Sequence, residues 1–438
     1  MEIASQDLLR QDPTALASRR RWRIPPPVTR DPEAPGPEGL SVLPEHPGEE
    51  GLLLWLTLRN VLLWSRVPPS SRKGLFTPEA MERRLALILE MHLPPRLHEP
   101  LTLLAGLLDR PHRIDPALVG LSCLRIHDWA RDEGFPTTSL EFLQAASVAC
   151  PGDGRYALAV GRELRERNLH GRAEAWFLRA IGLTRQARDW EAYTLTYITY
   201  GNMMVRRGNY PLARRLLTKA VRRAVRQGLK EPRARAHHDL FVVEAECGDD
   251  TAAQRHAQQA LYSYPTGHPS LPALAHDVAY FWVERGRFAQ ALPVLERAMP
   301  WVPDTQASAC FGALARTRGA LGDRQGFSEA VRLLRGQENT YGVARAWGDV
   351  AHGALSLGLD REGEIAATQS LEMARLAGEG KVSLQAESLV AAARALRSSH
   401  EETQSSPHPP HVAEWDAEDV QMAETLAGEF VSSLASVL

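Results

Sequence analysis

The 438 residues carry 51 Lys and Arg against 53 Asp and Glu, a net charge of −2. That balance sets up no overall field to gather a polyanion or an acidic membrane, and a 44% hydrophobic content rules out a wholly disordered chain. The four cysteines, Cys123, Cys150, Cys247 and Cys310, form no CxxC pair. A zinc or disulfide framework is therefore excluded, and a reduced, cytoplasmic setting is expected.

Residues 1–50 hold nine prolines, among them Pro25, Pro26 and Pro27. Proline lacks the donor that helices and sheets need, and few apolar groups accompany these prolines. A mostly disordered, extended arm is expected, with a short helix near Ile3 to Arg10. Arg19, Arg20 and Arg21 precede no apolar run, so no secretory leader is expected.

Residues 51–115 read as an N-terminal helical segment. Its first helix spans Gly51 to Arg66 and stops at Pro68 and Pro69. The second starts with Thr77 as N-cap and Pro78 at the first helical position. The third covers Leu97 to Asp109. The most apolar stretch, Leu52 to Val67, contains Thr57, Arg59 and Asn60 and is shorter than the roughly 20 residues of a membrane span. It reads as a buried helix, and no membrane association is expected.

From 116 to 396 small residues recur at fixed offsets. The clearest stretch, Leu195 to Val225, has Gly201, Gly208, Ala213 and Ala220, with Tyr197, Tyr200, Met204 and Leu217 between them. Comparable sets are Gly134 and Ala146; Gly161, Ala173, Phe177 and Ala180; and Gly248, Ala253, Ala257 and Ala260. Further sets are Ala279, Gly286, Ala291, Leu295 and Ala298; a weak Ala330 and Leu334; and Trp347, Ala351, Gly358, Ala367 and Ser370. The period is 34 from His127 to Gly161, then 40, 40 and 38 at Gly201, Phe241 and Ala279. Ser383 to Leu396 reads as a closing helix.

This pattern resembles the tetratricopeptide repeat (TPR), in the longer form of kinesin light chains and bacterial peptide-sensing regulators. The resemblance implies an all-α fold, a right-handed superhelical solenoid of antiparallel helix pairs. Small residues let helices cross closely, and stacked neighbours hide each pair's apolar face. It also implies a concave groove lined by the first helix of each pair. By the repeat alignment Arg162, Asn202, His238, Asp239, His276, Asp277 and Tyr280 fall on that groove. Asn202 stands where carboxylate-clamping TPRs use asparagine, but the clamp's lysine and second asparagine are missing. His238-Asp239 and His276-Asp277 recur 38 residues apart, either as interhelical hydrogen bonds or as part of a metal site, which two such pairs do not complete.

Arg206 to Arg235 is a basic run. Within it Arg215, Lys219, Arg222 and Arg226 share one helix side, a solvated face or a surface for an acidic partner. No aromatic residue interleaves with these arginines, which argues against nucleic acid. Residues 397–412 read as a flexible linker and 413–438 as an acidic amphipathic helix. Its stripe is Met422, Leu426, Phe430, Leu434 and Leu438, suited to capping the array, occupying its groove or joining a second copy into a homo-oligomer.

No glycine-rich phosphate loop, GxSxG, HExxH or kinase signature stands in a fitting context, so no catalytic residue, metal or cofactor is expected. The sequence reads as a non-enzymatic protein–protein interaction scaffold or adaptor that holds a partner peptide or helix, gated by its C-terminal helix. The alternatives are a cytoplasmic ligand- or peptide-sensing regulator and a metal-dependent hydrolase using the His-Asp pairs.

Overall fold

A computed structural model describes residues 24–29, 38–337, 342–402 and 415–435. The expected helix at Ile3 to Arg10 and most of the expected linker lie outside them. Among the described residues the regular structure is helical, with no strand, and no helix is long and apolar enough to cross a membrane. The chain forms two compact units, Met1–Gln227 and Gly228–Leu438. The division falls inside the stretch expected as one array.

The first unit holds α1 (Glu49–Arg66), α2 (Pro78–Glu90) and α3 (Pro95–Asp109), then three pairs. These are α4 (Pro116–Asp132) with α5 (Pro136–Ala149), α6 (Gly154–Glu166) with α7 (His170–Ala187), and α8 (Trp190–Arg206) with α9 (Tyr210–Gln227). Thr77 takes the N-cap position of α2, but its side chain makes no cap bond; Pro78 at the first turn sets the start. Asp115, Asp153 and Asp189 do cap α4, α6 and α8, each accepting from a backbone N–H of the first turn. The Thr-rich run of α8 stays helical because it is packed, with Tyr193, Thr194, Thr196, Tyr197 and Tyr200 all buried; the hydroxyls of Thr194, Thr196 and Thr199 are satisfied by carbonyls four residues back. The turn into α9 passes through Gly208 at φ +69°, a conformation that costs a side-chain-bearing residue about 1 kcal/mol or more.

The pairs close on their small residues. A Cβ on Gly161 would stand 2.6 Å from the Phe177 ring, and one on Gly201 2.7 Å from Leu217. α1 buries Leu53, Leu54, Leu58 and Trp64, and the Trp64 indole donates to the Pro111 carbonyl at 2.6 Å.

Two stretches of the expected disordered arm are packed instead. In residues 38–48 Val42 is buried, the His46 ring lies 5.6 Å from Trp129, and the Glu45 carboxylate accepts from the Thr137 and Thr138 amides at the start of α5. Those bonds outweigh partial burial and hold Glu45 below the usual carboxylate range. Residues 24–29 lie along α7 through backbone carbonyls, the acceptors that proline keeps when it loses its donor.

The second unit pairs α10 (Lys230–Cys247) with α11 (Asp250–Ser263), α12 (Leu271–Glu284) with α13 (Phe288–Ala298), α14 (Asp304–Ala320) with α15 (Arg324–Arg335), and α16 (Val343–Ser356) with α17 (Asp360–Ala377). α18 (Gly380–Glu402) outruns the expected Ser383 to Leu396, and α19 (Ala417–Ala435) ends the described chain. The weak sixth repeat has a glycine explanation. Gly312 meets Ala346, and Gly319 meets Gly353, so closely that an added Cβ would stand 2.6 Å or less from backbone. The contact lies between the first helices α14 and α16 rather than within a pair, where the repeat alignment looked.

α19 packs chiefly on the second helices α11 and α13. Ala423, Leu426, Phe430 and Leu434 are fully buried, Met422 is only half-buried, and Leu438 lies outside the described residues. Asp419 accepts from the Thr251 hydroxyl, and the Trp415 indole donates to Asp250 at 2.8 Å. Of the three expected uses of the stripe, covering apolar surface of the array, filling the groove or pairing two copies, α19 shows the first, laid on α11 and α13 of its own unit.

Gly161→Val should destabilise the first unit by about 2 kcal/mol, by overpacking against Phe177. A lowered urea midpoint at unchanged slope would show it. Phe430→Ala should cost about 3 kcal/mol in the second unit through the cavity it leaves, read the same way.

Candidate functional site

The first helices of the second unit carry a connected set of polar side chains. His276 and Tyr280 stand four apart on α12, and Arg345, Asp349 and His352 follow one side of α16 at offsets of four and three. His238 of α10 meets Asp277 of α12 through Nε2 and Oδ2 at 2.9 Å. His276 Nδ1 reaches the other oxygen of Asp277 at 3.2 Å, and its ring stacks on Tyr280. The Tyr280 hydroxyl donates to Asp349 at 3.1 Å and accepts from Arg345 Nε at 2.9 Å. Arg345 also binds Glu284, and Arg316 of α14 donates to Asp349 at 3.0 Å.

Within this ladder exposure differs sharply. The Asp349 side chain is 4% exposed, whereas Asp277 is 44% and Arg345 50% exposed. Burial alone would lower the His238 pKa, but the bond and charge of Asp277, with help from Asp239, raise it above the ordinary 6.5. Burial likewise works against the Asp277 charge, yet His238 and His276 hold that carboxyl well below its usual range. Burial, reinforced by Arg316, pulls His352 down to about 4. His276 Nε2 is buried without a hydrogen-bond partner among the described residues. The same side chain borders a cleft of about 240 Å³ with Pro269, Ser270, Ala273 and Trp301.

Five of the expected groove residues therefore share one unit: His238, Asp239, His276, Asp277 and Tyr280. Asp239 is half-buried and its charge acts on His238. Arg162 and Asn202 belong to the first unit, where Arg162 is half-buried and Asn202 accepts from Arg165 at 3.3 Å. Glu284, Arg316, Arg345, Asp349 and His352 were missed. The available signal was an Arg and an Asp four apart in ARAWGDVAH, an otherwise small and apolar helix. Among the described residues no three His, Cys, Asp or Glu side chains converge as a metal site; His238 bonds across to Asp277 of the next first helix, while His276 and Asp277 are neighbours on α12.

The basic patch divides. Arg215, Arg222 and Arg226 are exposed, but Lys219 lies over the Tyr197 ring at 4.7 Å. Burial first, then Arg185 and Arg223, lowers its pKa. Arg223 lies over Trp190 and Tyr193. Aromatic residues do meet this basic run after all, supplied by α8 rather than by neighbours in sequence.

No family model and no curated protein matches the chain. Among solved structures it is similar to PilF of Pseudomonas aeruginosa, at 14% identity and a TM-score of 0.41, over 52% of this chain and 95% of that one. It is similar to the Cut9–Hcn1 hetero-tetramer of the APC/C at 15% identity and 0.44, over 81% and 58%. A Rap protein complexed with competence and sporulation factor gives 10% and 0.41, over 81% and 99%. At such values the likenesses carry no functional argument. The helix pairs and their small-residue crossings make this a TPR-like, all-α helical-repeat protein.

A raised His238 pKa adds stability that is complete below 6.5 and lost as pH climbs through the raised value. The lowered Asp277 pKa adds stability present above 3.8 and lost on acidification. The pair should stabilise the second unit most between those limits. An NMR titration of the His238 imidazole should have its midpoint above 6.5, and Asp277→Asn should move that midpoint down.

Proposed function

We propose that the chain is a non-enzymatic interaction scaffold, and that the first helices of its second unit take a peptide or helix from a protein partner. One observation carries this reading. Charged groups of both signs are held at set positions along those helices, with Asp277, Glu284 and Arg345 reaching solvent. Side chains already fixed by neighbours lose little entropy when they bind. Mixed charge suits a segment offering backbone amides and carbonyls as well as side chains. The apolar core lies between the helices and needs no partner. α19 is a structural cover of α11 and α13, so gating through groove occupancy forms no part of the reading. The exposed Arg215, Arg222 and Arg226 of the first unit suit, independently, an acidic segment of a protein.

Asp277→Ala combined with Arg345→Ala should cut partner recovery from a native lysate at least tenfold while the helical circular dichroism stays intact. Recovery equal to the wild type would remove this face as the binding site.

A further inference from the structure

Residues Ile24, Pro25, Pro26, Pro27, Val28 and Thr29 lie against the side of α7 that carries Trp176, Arg179 and Gly182. Three consecutive prolines hold φ near −65°, and a residue before proline is steered to extended backbone. The segment is therefore preset as polyproline II, which makes no internal hydrogen bonds and presents its carbonyls outward. α7 answers with donors and a pit. The Trp176 indole N–H donates to the Val28 carbonyl at 3.1 Å, and Arg179 Nη1 donates to the Pro25 carbonyl at 2.7 Å. The acceptors stand three residues apart, one polyproline turn, and the donors stand three apart on one helix side. Three residues further on, Gly182 leaves the space that Ile24 fills, its Cγ1 3.0 Å from where a Cβ would be. With the segment in place Trp176 and Arg179 are 1% and 7% exposed, and the Val28 carbonyl satisfies the indole N–H.

We infer that this face of α7 is a binding site for polyproline-II segments that carry a branched apolar residue ahead of the prolines. Residues 24–29 are its occupant in cis, and a proline-rich segment of a partner protein is its ligand in trans. An aromatic N–H and a flanking cation reading carbonyls one polyproline turn apart is a general way to hold such a segment. Pre-organised proline lowers the entropy lost on docking, for the cis segment and for a ligand in trans alike. A segment of the same chain competes with any ligand in trans, so the site responds only to partners that outcompete it. This site is separate from the ladder of the second unit and does not rest on it.

The probe is a fluorescein-labelled peptide of sequence WRIPPPVTRD, titrated into the full-length chain and followed by anisotropy. Replacing Ile24→Ser, Pro25→Gly and Pro26→Gly together in the protein should loosen the cis occupant and tighten peptide binding at least tenfold over the wild type. Adding Trp176→Phe should weaken it about tenfold, the value of one buried hydrogen bond. Gly182→Leu fills the seat of Ile24 while favouring the helix; it should abolish binding with helicity unchanged. A peptide with alanine for all three prolines should bind at least tenfold more weakly. Absence of saturable binding to the loosened chain, or binding indifferent to Gly182→Leu, overturns the site. Dimers of the wild type that the loosened chain fails to form would overturn the partner assignment in favour of a second copy.

Discussion

Close approach of helix backbones is the constraint on which the other features depend. Where Gly161 meets Phe177 and Gly201 meets Leu217, no side chain intervenes on one partner, and the bulky residue of the other fills the space. Where Gly319 meets Gly353, two first helices come together backbone to backbone. Such crossings bring polar side chains on neighbouring helices within hydrogen-bond reach, as Arg316 of α14 and Asp349 of α16 illustrate. With larger residues at the crossings the helices would separate by several ångströms, and a buried Asp349 would lose the cation that makes its charge tolerable.

The second theme is satisfaction of backbone polar groups by distant side chains. Asp115, Asp153 and Asp189 cap the helices that follow them, but Glu45 caps α5 from about 90 residues away. Trp64 binds Pro111, Trp176 binds Val28, and Arg179 binds both Pro25 and Pro151. In each case a side-chain donor answers the carbonyl of a proline or of the residue after one. Proline takes away a donor and leaves an acceptor, and here Trp and Arg side chains supply the missing donors.

The second unit separates its two kinds of surface. α19 covers second helices with Leu426, Phe430 and Leu434 and anchors itself through Trp415 and Asp419. The first helices instead carry the charged ladder. An apolar stripe needs cover from water, and charges need water or one another. That difference explains why the terminal helix sits on one side of the pairs and the polar set on the other.

Helix identity, pairing and most boundaries were legible in the sequence, because a small residue at a crossing and a glycine at a turn are local steric demands written at fixed spacing. The link between His238 and the α12 pair was legible for the same reason: repetition at 38 residues puts equivalent positions side by side. Tertiary structure alone decided the partners. Asp277 bridges two histidines, Arg345 and Asp349 join Tyr280 from an element 65 or more residues away, and Lys219 leaves its solvated row for the Tyr197 ring. It also decided that proline-rich residues 24–29 lie on α7 and that α19 returns to α11 and α13. Periodicity reports which side of a helix is buried, through the chain's own geometry. Which distant group covers that side depends on how the helices stack in space, a property no local spacing encodes.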